Sequence, residues 1–273
     1  MKDTRRWIVV IVYAIAMAWV EAAVVFYLRT MIDRIEPYQP NPLPIVGGFG
    51  AVEMVREAAT LLMLLMVGIL AGRTWQGCLG YAAIAFGVWD IFYYVFLKIM
   101  CHWPHSLFDW DILFLLPLPW WGPVLAPISI ALLMVLWGTV TSQFEPSTSR
   151  AGWKSWALNS LGVGMALYLF MADALRVADR GVDSLRNLLP SRFNWFLFSL
   201  AVLLMTAPLL QLFPFRRATG LLMPAPRQPK VGPNSDRAKQ PVHRLITPGQ
   251  SSAPDKAHDN LAAAEGTHRQ EAD

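Results

Sequence analysis

The sequence predicts an all-α protein, a polytopic membrane helix bundle of about six transmembrane helices with an interfacial or re-entrant loop. Three observations carry that expectation. Hydrophobic residues make up 55% of the 273-residue chain and charged residues only 15%, too apolar a mixture for a soluble domain around one core. Apolar runs of about 20 residues, the length that crosses a bilayer, recur along the chain. Of the 12 tryptophans, Trp103, Trp110, Trp120 and Trp121 gather in one stretch, as amphipathic indoles do at a membrane interface.

The first run, residues 7–28, follows Lys2, Arg5 and Arg6. Ala16-Met17-Ala18 has the small-residue look of a signal-peptide cleavage site, but apolar sequence continues to Leu28, so an uncleaved first helix is expected. The second and third runs, 52–71 and 75–100, are separated by so few residues that they form an antiparallel hairpin. Glu53, Arg56 and Glu57 therefore fall towards the same membrane face as Lys98.

Residues 101–119 carry Trp103-Pro104, Asp109-Trp110-Asp111 and Pro117-Leu118-Pro119 around an apolar piece, 112–118, that is too short to cross. This is the interfacial or re-entrant loop. A fourth span follows Pro123 and ends near Val140, a fifth covers 156–177 and a sixth 193–212, with Pro208 expected to kink the last. Between the fifth and sixth, Leu175, Ala178, Val182, Leu185 and Leu189 alternate with charged residues at helical spacing, predicting a surface-lying amphipathic extension that Gly181 interrupts.

The chain thus divides into a transmembrane helical domain, residues 1–215, and a Pro-rich polar tail, residues 216–273, whose composition predicts disorder. The basic start of the tail, Arg216, Arg217, Arg227 and Lys230, suits anionic lipids, and the tail is also where a protein partner is expected. Membrane lipids are the principal expected partner. A net charge of +4 does not point to nucleic acid, because the basic residues are scattered between apolar runs. Six spans place both termini on one side, and Lys2, Arg5, Arg6, Arg73, Arg150, Lys154, Arg216 and Arg217 favour the cytoplasm for it. Cys78 and Cys101 bracket the third span, too far apart to pair, which fits a bacterial inner membrane.

Ionisable residues within spans are expensive and are the first place to look for function. Glu53, Arg56 and Glu57 share one face of the second helix; Asp90, Tyr94 and Lys98 repeat down one face of the third. With Glu21 on the first helix and Asp173 and Arg176 on the fifth, they predict one polar pocket in the non-cytoplasmic half. The expected site is Glu21, Arg56, Glu57, Asp90, Tyr94, Asp173 and Arg176. In it Arg56 holds an anionic headgroup, Glu57 or Asp90 acts as general acid or base, and Glu21 orients a partner. Glu53 and Lys98, nearest the helix ends, are expected to snorkel to the headgroups. The competing structural reading is that these charges only lock helix docking.

A second constellation, His102, His105, Asp109 and Asp111, places imidazoles and carboxylates in one loop and offers a divalent-metal site, although its spacing matches no two-His zinc motif. Beyond that metal, the sequence does not specify a cofactor. Together these features predict a membrane enzyme or binding protein for a lipid or other amphiphile, with a small transporter or proton-coupled carrier, and a non-catalytic scaffold or assembly factor, as the alternatives.

Overall fold

The computed structural model describes residues 3–40, 49–143, 152–181, 184, 185, 187–190 and 192–212. The predicted tail lies outside the described residues. Among the described residues, five helices are long and apolar enough to cross a membrane: α1 (Thr4–Met31), α2 (Phe49–Ala71), α3 (Trp75–Cys101), α4 (Leu125–Gln143) and α5 (Trp153–Val177). This is compatible with a multi-pass membrane protein. The expected sixth span forms as two pieces, α6 (Trp195–Met205) and α7 (Ala207–Leu212). Asn194 caps the start of α6 through its side chain, and Pro208, lacking an N–H, sits in the first turn of α7 where none is needed. After α5, a single 3-10 turn, Ala178–Arg180, ends at Gly181 with φ +89°, so the predicted interruption occurs where only glycine adopts the backbone without strain.

The helices alternate in direction. On the face where the chain starts, Arg6 Nη1 donates to the Ala71 carbonyl, Trp7 Nε1 to Thr139 Oγ1, Gln143 Nε2 to the Tyr81 hydroxyl and the Gly152 N–H to Gln211 Oε1. The opposite ends of the helices, and the segment between α3 and α4, define a far face.

α3 is the hub, packing on α1, α2 and α4. Small residues make this possible. α1 turns a stripe of Val10, Ala14, Ala18 and Ala22, all buried, inward at helical spacing, and a Cβ on Gly87 of α3 would stand 2.5 Å from the Ala131 carbonyl oxygen of α4, so the two backbones touch there. A second group forms where α5 packs on α6 and α7, with Gly162 against the Ala201 carbonyl. The outward faces are apolar: Leu70 is 84% exposed and Val52 71%, a surface suited to lipid rather than water.

The described residues are mostly helical, as expected, and the interfacial or re-entrant segment between α3 and α4 adds a short pair of strands. It is an antiparallel β-hairpin of β1 (Trp110–Phe114) and β2 (Trp120–Pro123), with Trp110 opposite Pro123 and Ile112 opposite Trp121. It is also re-entrant. Phe114 stacks on Phe86 and tilts against Trp89, and Phe86 lies about 22 Å along α3 from its Cys101 end. Backbone entering that depth must satisfy its own polar groups, which the strand ladder does, while aromatic side chains suit a pleated surface. On the other side Trp120 stacks on Phe170 of α5, so the hairpin wedges between the two helix groups.

Candidate ligand-binding cavity

Between those groups lies one cavity of about 1080 Å³, at the upper end of small-molecule sites. α4 contributes Pro127, Ile130, Leu133, Met134 and Trp137 and α5 contributes Trp156, Asn159, Val163, Ala166, Leu167 and Phe170. Each set follows helical spacing, so one face of α4 looks across the gap at one face of α5. The α5 stripe runs about 21 Å along the helix axis. Trp137 and Trp156 meet edge to face at its end, ring centroids 5.9 Å apart.

The polar end is near the far face. Arg56 clasps Glu53 through two parallel bonds, Nε to Oε2 at 2.9 Å and Nη2 to Oε1 at 2.6 Å, and donates from Nη1 to Glu21. The helical repeat of α2 creates the first contact, since residues three apart are neighbours; packing of α1 on α2 creates the second. Thr60 Oγ1 donates to the other Glu21 oxygen at 3.3 Å. Glu57, 8% exposed, turns towards the hairpin and accepts from the Leu115 N–H at 2.9 and 3.2 Å.

Nearer the far face, Arg29 Nη2 donates to Asp111 Oδ1 at 2.7 Å, and its guanidinium lies 4.4 Å from the centre of the Trp103 ring. Asp90, 8% exposed, lines the cavity from α3 beside Trp89, Tyr93 and Tyr94. Asp90 Oδ2 and the indole nitrogens of Trp89 and Trp120 are buried without hydrogen-bond partners.

Of the predicted site residues, Glu21, Arg56, Glu57, Asp90 and Tyr94 line this one cavity. Asp173 and Arg176 do not. They pair with each other at 2.7 Å on the bundle surface, Arg176 with 71% of its side chain exposed, because the end of α5 turns that face outward. Glu53, expected to reach for headgroups, is instead held by Arg56, and Lys98 folds back so that Nζ donates to the carbonyls of His102 and Pro104. Both have partners within the protein.

The loop residues proposed as metal ligands are not gathered. His102 is the left-handed residue that ends α3; His105 Nε2 meets Glu36; Asp109 accepts the N–H groups of His105 and Ser106; Asp111 belongs to Arg29. Among the described residues no group of three or more His, Cys, Asp or Glu is placed to hold a metal. Each carboxylate has found a nearer donor, and strand pairing carries Asp111 inward, away from the histidines.

Arg29, Thr60 and the Leu115 N–H are cavity features that the sequence reading missed. Arg29 had a signal: Glu21, Val25, Leu28, Arg29 and Ile32, all lining the cavity, follow helical spacing down α1. The Leu115 donor had none, being backbone. No family model, no curated protein and no solved structure matches this chain.

Proposed function

We propose that the protein is an integral membrane protein that takes up a lipid or other amphiphile, its headgroup among the carboxylates and guanidiniums near the far face and its tail in the apolar gap between α4 and α5. The observation that carries this reading is the joining, in one cavity, of the buried polar cluster to an apolar limb about 21 Å long, somewhat more than one leaflet of a hydrocarbon core about 30 Å thick. A charge network that served only packing needs no such limb. The basic residues near the termini favour an orientation in which the polar end faces the non-cytoplasmic side.

Native mass spectrometry of protein released from lipid nanodiscs tests this directly. Wild type is expected to retain a lipid adduct, and Leu133→Trp and Val163→Trp, which fill the limb from its two sides, are expected to lose it while remaining folded. Equal adduct occupancy in all three folded proteins would overturn the reading. A carrier is the second reading, favoured by the reach of the cavity to Trp137 and Trp156; transfer of labelled lipid between leaflets of sealed vesicles would distinguish it from a binding protein or an enzyme acting in place.

A further inference from the structure

Within the amphiphile reading, on which this rests, we infer that the cavity selects a headgroup carrying an ammonium rather than an anionic one. The guanidiniums are already engaged. Every nitrogen of Arg56 donates to a carboxylate, Glu53 on one side and Glu21 on the other. Arg29 is balanced by Asp111, and Arg34 donates to the carbonyls of Pro37 and Gln39. A phosphate or carboxylate entering beside Arg56 would be a third anion around one cation.

The cavity also holds a surplus of acids. Glu57 and Asp90, each 8% exposed, line the cavity, and neither forms an ion pair among the described residues. A buried carboxylate without a cation is unfavourable unless it is protonated or a cation is brought to it. An ammonium on the occupant supplies that cation. The wall of that cavity is aromatic. Trp89, Tyr93, Phe114 and Trp120 line the same stretch, with Trp89 and Phe114 centroids 6.4 Å apart and Phe114 and Trp120 5.2 Å apart. Aromatic faces attract cations, most strongly where water is excluded, and aromatic walls beside carboxylates are the chemistry that recognises amines and quaternary ammonium groups. The unpartnered indole N–H groups of Trp89 and Trp120 are uncharged and leave this balance unaltered; they suit the neutral oxygens of an ester linkage.

The test uses the full chain in a neutral detergent, titrated with two probes of equal chain length, dodecyltrimethylammonium and dodecyl phosphate, with binding read by native mass spectrometry and calorimetry. Wild type is expected to prefer the ammonium probe by about tenfold or more. Glu57→Gln, which keeps an acceptor for the Leu115 N–H, and Asp90→Asn are each expected to reduce that preference several-fold without weakening the phosphate probe. Preference for the phosphate probe, or an ammonium preference untouched by both substitutions, overturns the charge assignment while leaving the amphiphile site standing. Absence of binding by either probe, with no lipid adduct from nanodiscs, overturns the site itself. Should either variant fail to fold, the wild-type preference alone decides.

Discussion

The Leu115 amide at the tip of the re-entrant hairpin donates to both oxygens of Glu57, at 2.9 and 3.2 Å, across the boundary between hairpin and α2. One carboxylate thus holds the hairpin at its depth and lines the cavity beneath it. Glu57→Ala orphans that amide and is expected to cost about 1–3 kcal/mol, with Glu57→Gln closer to wild type. Unfolding in detergent measures the cost, and faster hydrogen exchange at the Leu115 amide in Glu57→Ala would assign it to the hairpin.

Arg56 is shared by carboxylates from α1 and α2. Replacing it by Met leaves Glu21 and Glu53 facing each other without a cation, expected to destabilise by about 3–5 kcal/mol. Adding Glu21→Gln and Glu53→Gln to Arg56→Met removes the uncompensated charges, and the triple variant should recover much of the loss. A triple variant no more stable than Arg56→Met would show that the cluster does not act through charge balance.

The exposed pair on α5 should behave differently. Arg176 is 71% exposed beside Asp173, so Arg176→Ala is expected to change stability by no more than about 0.5 kcal/mol and to leave adduct occupancy unaltered. Loss of the adduct in this variant would return Asp173 and Arg176 to the site.

Where α3 meets α4, an added Cβ on Gly87 would lie 2.5 Å from a carbonyl oxygen of the neighbouring helix. Gly87→Ala must therefore move two backbones apart, at a cost of about 1–3 kcal/mol, whereas Gly164→Ala, with nothing within 4 Å of the new methyl group, should be neutral or slightly stabilising. Thermal unfolding of the two variants side by side checks the contrast.

No metal dependence is expected from His102, His105, Asp109 and Asp111, which are not gathered into one site among the described residues. Chelation should leave the melting temperature unchanged, since only a ligand bound to the folded state raises it. A fall on chelation, abolished by His105→Ala, would reinstate the loop as a metal centre.

Much of this was legible in the residues because of what each span must do. A helix in hydrocarbon satisfies its backbone internally and needs about 20 apolar residues, so length and hydropathy alone placed α1 to α5 within a few residues of their ends. Helical periodicity likewise put Glu53, Arg56 and Glu57 on one face and marked Glu21 and Asp90 as charges in need of partners. The strands were harder to see, because a short apolar run such as 112–118 is equally compatible with loop, helix or strand until something pairs with it.

By itself, the sequence determined the helical membrane-type architecture, the order of its long helices and which of them carry charge, all consequences of local composition. Which charge meets which was decided only by the tertiary structure. Asp111 and Asp109 stand two positions apart, yet Asp111 lies within β1, where strand pairing buries it beside Arg29, while Asp109 precedes the strand and stays in the turn with His105 and Ser106. Glu57 and Arg56 are adjacent, yet one meets a backbone amide and the other two carboxylates. Partner choice depends on distances between segments remote in the chain, and those exist only once the hairpin has entered between α3 and α5 and opened the space that α4 and α5 share.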